Sequence, residues 1–313
     1  MFSLPAVLAF ELCNTPLEGF QPPGRRVILS AVLLDRFPER ALELAQLGGV
    51  NVAPNPLVGA VIVHNDRIIG EGYHQRYGEA HAEVNAVRSV KQPELLREST
   101  IYVTLEPCAH FGKTPPCANL LVEKQFKRVV IGTVDPFAKV SGAGIRILED
   151  AGISCKVGVL EKECQYLNRR FFTLHQKQRP YVILKWAQTA DGFIDAPREQ
   201  DETGTIRWIS APETQSLVHL WRSEEQAILV GWKTVLNDNP SLTVRAVEGK
   251  HPLRIIVDSD LKAPFNATVF TDGLPTVVLN TKKAGESGAV TYIQLPDMSV
   301  GEQLKALHKL SIV

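Results

Sequence analysis

Hydrophobic positions recur with two alternating periods along most of the chain. In "ERALELAQLGG" (39–49) Leu42, Ala45 and their neighbours form a helical stripe, which Gly48 and Gly49 end. "GAVIVHNDRIIGEGYH" (59–74) reads as a β-hairpin with its turn at Asn65-Asp66. A helix is predicted for "HAEVNAVRSV" (81–90) and a strand for "TIYVTLE" (100–106). Then come helix "CANLLVEKQF" (117–126), strand "RVVIGTV" (128–134), helix "GIRILEDAG" (144–152) and strand "ISCKVGVL" (153–160). Strands separated by helices imply a layered α/β sheet that is mostly parallel in its later part.

The stretch "EKECQYLNRRFFTLHQKQRP" (161–180) is polar and basic and ends in Pro180, so a domain boundary is expected near residues 165–180. A second alternation follows. Strands are predicted at "YVILKWA" (181–187), "AILVG" (227–231), "LRIIVD" (253–258) and "TVVLN" (276–280). Helices are predicted at "APETQSLVHLWRSE" (211–224), "KTVL" (233–236) and "GEQLKALHKL" (301–310). The expected organisation is an atypical extension over 1–34, one α/β domain over 35–175 and a second over 176–313. No heptad, internal repeat or low-complexity tract interrupts it.

Composition changes this picture little. A chain of 313 residues exceeds one ordinary core, which agrees with two domains. Lys+Arg and Asp+Glu both number 34, so no basic face for nucleic acid is signalled. The N-terminal apolar run is short, carries Glu11 and has no basic residue ahead of it, unlike a signal peptide or a membrane span. Five cysteines form no disulfide framework in a chain this long, and a cytoplasmic location is expected.

Candidate chemistry gathers around "PCAHFGKTPPC" (107–117). Two cysteines flank a loop stiffened by proline, and His81-x-Glu83 lies upstream on a predicted helix. Zinc deaminases take one His and two Cys as ligands and use a Glu that is not a ligand as proton shuttle. Residues two apart on a helix point about 200° from each other. His81 and Glu83 can therefore share a site only off the end of the helix, in its first turn. Cys117 also opens a helix, where the dipole favours a thiolate. Three ligands leave an open position, the mark of a catalytic zinc. Cys13, Cys155 and Cys164 lack this context and read as ordinary thiols; His64, His110 and His175 read as non-ligands.

With these residues in place, a resemblance becomes specific. "NPLVGAVIV", "HAEVNAV", "YVTLEPCAHFGKTPPC", "DPF" with "VSGAGIRIL", and "LNRRFF" resemble the bifunctional deaminase–reductases of riboflavin biosynthesis. The resemblance implies an α/β fold: a cytidine-deaminase-like zinc domain, then a dihydrofolate-reductase-like domain, C-terminally incomplete. It implies hydrolytic deamination of a small phosphoribosylamino-pyrimidine, then NADPH-dependent reduction of its ribosyl chain to ribityl. By position, His81, Cys108 and Cys117 match zinc ligands, Glu83 the catalytic proton carrier, and Asn55, His74 and Lys113 substrate contacts. In the second half no G-x-G-x-x-G follows a strand, so a Rossmann fingerprint is absent. By resemblance, Ala187, Trp208, Thr234, Asp238 and Ser259 line the NADPH cleft. Lys185, Arg222, Leu242 and Arg245 match contacts to the reductase substrate, where arginine suits a phosphate. The family's members assemble, so a homo-oligomer is a possible state.

Two departures stand out. Ile206 occupies a position where the family carries a small hydroxyl residue, and the chain stops at "LHKLSIV", ahead of the family's Gly-rich turn. These suggest a truncated reductase, and so a deaminase-only reading as one alternative. A nucleoside or tRNA deaminase is another. A third is a non-catalytic zinc module, which would need a fourth ligand near residues 81, 108 and 117.

Overall fold

The computed structural model describes residues 36–110, 115–137, 141–198, 203–204 and 206–313. The predicted extension over 1–34 lies outside them.

The first half is built on five strands: β1 (Gly59–His64), β2 (Arg67–Tyr73), β3 (Thr100–Leu105), β4 (Arg128–Thr133) and β5 (Ser154–Val157). Their order is β2-β1-β3-β4-β5. β1 runs antiparallel to both neighbours, and β3, β4 and β5 are parallel. The turn from β1 to β2 has Asn65 and Asp66 at φ 46° and 56°, the left-handed pair that Asn and Asp tolerate in a tight hairpin.

The period of two decides which side of the sheet each residue serves. Ala60 and Ile62 enter one core with Ile101, Val103, Val129 and Ile131. Val61 and Val63 enter the other with Phe37, Ala41 and Leu44 of α1 (Arg36–Gln46). The first face is covered by α2 (Ala82–Ser89), α3 (Cys117–Glu123) and α4 (Ala143–Asp150), which supply Ala82, Ala86, Ala118, Leu121 and Leu148. α1 approaches β1 so closely that a Cβ on Gly59 would lie 2.0 Å from the Ala41 carbonyl oxygen. Only glycine permits that contact.

The polar stretch in which a domain boundary is expected forms α5 (Glu161–Leu167) and α6 (Arg169–Lys177), two helices that composition did not signal. The reason lies in the stripe Cys164, Asn168, Phe171, Leu174. Its spacing is helical, and all four are buried.

The second sheet has the order β6-β7-β8-β10-β9, from β6 (Ala227–Gly231), β7 (Leu253–Val257), β8 (Thr276–Asn280), β9 (Gly285–Ser287) and β10 (Val290–Gln294). All pairs are parallel except β9 with β10. Around it lie α7 (Glu213–Ser223), α8 (Trp232–Asp238), α9 (Thr268–Thr271) and α10 (Val300–Lys309). Ile256 and Val278 face Val235 of α8 and Val269 of α9, while Ile255, Val277 and Leu279 face Ala306 and Leu307 of α10. The fully buried Arg254 begins this core. Its guanidinium donates to Asp272 at 2.6 and 2.8 Å and to the Val269 and Leu274 carbonyls at 3.1 and 2.7 Å.

One predicted strand is not formed. "YVILKWA" is apolar on both faces, as an inner strand would be, but it has no ladder here, and Leu184 and Trp186 are exposed. Among the described residues the outer edge of β6 is therefore left unpaired. Among the described residues, no helix is long and apolar enough to cross a membrane.

Candidate metal centre and substrate loops

β3 and β4 are parallel and end side by side, and the site forms beyond their carboxyl ends. Cys108 follows β3 directly. His81 is the N-cap of α2, Glu83 lies in the first turn of α2, and Cys117 is the first residue of α3. The first-turn placement expected from the H-x-E spacing is the one observed.

His81 Nδ1 lies 3.5 Å from Cys108 Sγ and 3.4 Å from Cys117 Sγ, and all three atoms fall within 4.8 Å of one another. A tetrahedral zinc with ordinary bond lengths would hold nitrogen and sulfur about 3.6 Å apart. Both nitrogen–sulfur distances fit that ion. A hydrogen bond from Cys117 and then His81 hold Cys108 well below the ordinary thiol range, while Cys117 is pushed up. The Cys117 backbone N–H also donates to Cys108 Sγ at 3.3 Å. In turn Cys108 raises His81. Glu83 is 3% exposed, and burial, followed by the Cys108 charge, pushes its carboxyl up to about 7. A carboxyl in that range can both accept and return a proton near neutrality.

Asn55 and His74 meet beside this centre. His74 Nδ1 donates to the Ala80 carbonyl at 3.1 Å, which leaves Nε2 to accept from Asn55 Nδ2 at 3.2 Å. Burial lowers the His74 pKa, in keeping with a neutral ring. The His74 and His81 rings stand edge to face, 5.4 Å apart. Lys113 lies outside the described residues.

Glu106 was not singled out from sequence. It is 3% exposed and has no cationic partner among its hydrogen bonds. Its Oε2 accepts from the backbone N–H groups of Asp135 and Gly142 at 3.2 and 2.9 Å, and its Oε1 from that of Gly144 at 2.9 Å. Gly142 caps α4, so the carboxylate seals that helix start. A Cβ on Gly144 would lie 2.0 Å from the Pro107 carbonyl oxygen. The start of α4 thus sits directly on the residue before Cys108. A charge ending an otherwise apolar strand was the signal available in sequence.

In the second half, the structure brings some of the expected residues together. Arg222 donates to the Thr243 carbonyl at 2.7 Å, and its buried Nε has no protein partner. Arg245 donates to Thr243 Oγ1 at 3.0 Å and to Ser241 Oγ. Its backbone N–H donates to His219 Nδ1 at 3.0 Å. Leu242 is buried in the same segment. After burial, the charge of Arg245 lowers Arg222, and that of Arg222 lowers Lys185, so these cations form one group. Thr234 and Asp238 lie one turn apart on α8, but the Asp238 carboxylate is engaged by Arg198 at 3.0 Å. Ser259 follows the carboxyl end of β7 and donates to Asp260 at 3.1 Å. Ala187 and Trp208 lie outside the sheet's ladders, and Trp208 is 58% exposed.

Comparison with known proteins places both halves. Residues 33–133 match the cytidine and deoxycytidylate deaminase zinc-binding region, and residues 180–312 match the RibD C-terminal domain. The riboflavin biosynthesis protein RibD of Aquifex aeolicus is 43% identical over 285 residues, covering 88% of this chain and 78% of the relative. The corresponding protein of Chlamydia pneumoniae is 41% identical, covering 83% of this chain and 68% of the relative. A crystal structure from Thermotoga maritima, described as a diaminohydroxyphosphoribosylaminopyrimidine deaminase and 5-amino-6-(5-phosphoribosylamino)uracil reductase, superposes with a TM-score of 0.77 at 39% identity. That superposition covers 89% of this chain and 78% of the other. A zinc-type deaminase domain followed by a reductase domain of this kind, at this identity and coverage, means that the chain belongs to the bifunctional deaminase–reductase family of riboflavin biosynthesis.

Proposed function

We propose that the chain carries out two consecutive steps on a phosphoribosylamino-pyrimidine. The first half deaminates the ring hydrolytically, and the second reduces the ribosyl group to ribityl with NADPH. The observation that carries the reading is the convergence of His81, Cys108 and Cys117 around a buried Glu83.

When bound, zinc supplies a Lewis acid with one open position for water. His81, Cys108 and Cys117 are the residues that would hold it. Glu83 takes a first proton from the attacking water and passes it to the ring nitrogen, then carries the second, from the hydroxyl now on the ring carbon, to the amino group, which leaves as ammonia. Its carboxyl is 3% exposed, and that shielding from bulk water suits both transfers. Asn55 has committed its amide nitrogen to His74, so its Oδ1 remains to accept from the pyrimidine. Lys113 completes the substrate contacts.

In the reductase half, Arg222, Arg245 and Lys185 form the cationic group suited to the substrate phosphate, with Leu242 beside them. Ala187, Trp208, Thr234, Asp238 and Ser259 are assigned to NADPH by their positions in the family pattern. We place the division between the halves at the end of α6, near residue 175. The match over residues 180–312 weighs against a deaminase-only protein and against a nucleoside or tRNA deaminase.

The test pairs two assays on purified, zinc-loaded chain: ammonia release from the diamino substrate, and NADPH oxidation with the deaminated product. Both activities are expected. Absence of ammonia release would overturn the deaminase assignment, and absence of NADPH oxidation the reductase assignment.

A further inference from the structure

The segment "LNRRFF" takes no part in the chemistry above, yet Asn168 at its start is 3% exposed and reaches across the fold. Asn168 Oδ1 accepts from the Leu57 backbone N–H at 2.8 Å, and Asn168 Nδ2 donates to the Leu57 carbonyl at 2.9 Å. A side-chain amide here does what a neighbouring strand would do. It satisfies both backbone polar groups of one residue in a stretch with no ladder of its own. The residue is itself held at the junction of α5 and α6. Its backbone N–H donates to the Cys164 carbonyl at 3.2 Å, and its carbonyl accepts from the Phe172 N–H at 2.9 Å.

Leu57 lies two residues from Asn55, within an irregular loop between α1 and β1. That loop has few other ties. The Tyr77 N–H donates to the Asn51 carbonyl at 2.9 Å, and the His74 N–H to the Val58 carbonyl at 2.9 Å. The Asn55 N–H closes a local turn on the Val52 carbonyl, also at 2.9 Å. Without Asn168, the backbone between the loop's two ends would keep only the local turn at Asn55 and the Asn55 side-chain bond to His74 at 3.2 Å.

We propose that Asn168 is a positioning residue of the deaminase site. It clamps Leu57 and so fixes the direction in which Asn55 meets the pyrimidine, without touching substrate itself. The proposal rests on the reading of Asn55 as a substrate contact.

A double-mutant cycle on the full chain tests it, with Asn168→Ala, Asn55→Ala and the double variant. Loss of alignment at a reacting centre costs on the order of 10- to 100-fold. Asn168→Ala is expected to lower kcat/KM for ammonia release by about that factor, chiefly through KM. Zinc content and NADPH oxidation on the same chain should stay at wild-type levels, since neither depends on the loop. In the Asn55→Ala background, Asn168→Ala should cost no more than about twofold, because the group it positions is gone.

A full-sized effect of Asn168→Ala in that background would overturn the proposal, as would wild-type kinetics for the single variant. If Asn55→Ala alone leaves kcat/KM unchanged, it is the reading of Asn55 that fails. Should Asn168→Ala not fold, the same cycle with Asn168→Asp decides on the same criteria. That variant keeps the acceptor for the Leu57 N–H and sets a carboxylate against the Leu57 carbonyl.

Discussion

Replacing Glu106 by glutamine keeps the size of the side chain and removes its charge. The three N–H groups it serves are shared unequally, with Asp135 and Gly142 on Oε2 and Gly144 on Oε1. A glutamine carbonyl in the place of Oε2 keeps two of these bonds. Hydrogen bonds to a charged group contribute about 1.5–3 kcal/mol and neutral ones about 0.5–1.5, so each retained bond weakens by roughly 1 kcal/mol. The glutamine NH2 then faces the Gly144 N–H, two donors together, and that bond of about 1.5–3 kcal/mol is lost. Easier burial of a neutral group offsets part of the total, leaving about 3 kcal/mol. For a domain of this size the shift in Tm is roughly 6–12 °C. The start of α4 also rests on Pro107, so the loss reaches Cys108, and zinc binding should weaken by about 10- to 100-fold. Chelator competition measures the affinity, thermal unfolding of the first domain measures the stability, and NADPH oxidation by the same chain serves as internal control. If Glu106→Gln bound zinc within about twofold of wild type and melted within about a degree of it, the carboxylate would contribute neither stability nor metal geometry, and the reasoning would fail.

Glu83→Gln should lower ammonia release by about 10²- to 10⁴-fold, the usual contribution of a proton carrier, with zinc content and NADPH oxidation unchanged; metal analysis alongside both rate assays checks this. Stripping zinc with a chelator should abolish ammonia release and spare NADPH oxidation, and added zinc should restore the first activity. Gly59→Ala drives a methyl group into the Ala41 carbonyl and should cost more than the 1–3 kcal/mol typical of overpacking, read as a fall in the first unfolding midpoint. His74 has its pKa lowered by burial, so below its ordinary value of about 6.5 the unfolded chain takes up a proton that the folded chain resists. Stability from this residue is therefore level above that pH and declines below it, and a His74→Asn variant should show a flatter profile in urea unfolding between pH 7 and 5.

The metal site was legible because its geometry is local. H-x-E at a helix start, and cysteines bounding a proline-rich loop, restrict where the side chains can go before any long-range contact is known. The hairpin at Asn65-Asp66 was legible for the same reason. What escaped notice depends on distant partners. Asn168 is ordinary in composition, and its partner Leu57 is a backbone unit with no side-chain signature. Glu106 could be read as a strand-end charge, but its three N–H partners come from a loop some thirty to forty positions on. The helices over 161–177 were hidden by charge: Glu161, Lys162, Arg169 and Arg170 outweigh the stripe beneath them. "YVILKWA" differs in the opposite sense: its apolar composition suits an inner strand, but composition does not decide whether the segment joins the sheet.

The placement of the ligands has a consequence for the order of events during synthesis. His81, Cys108 and Cys117 come from one continuous stretch, whereas the clamp on Leu57 comes from residue 168. Contacts close in sequence form early, and domains emerge N-terminal first from the ribosome. A nascent chain that has exposed β1 through β4 already owns every donor the ion requires, while the loop bearing Asn55 still lacks its brace. Metal capture would then belong to the ribosome-bound stage, and competence toward substrate would arrive later, when α5 and α6 leave the exit tunnel.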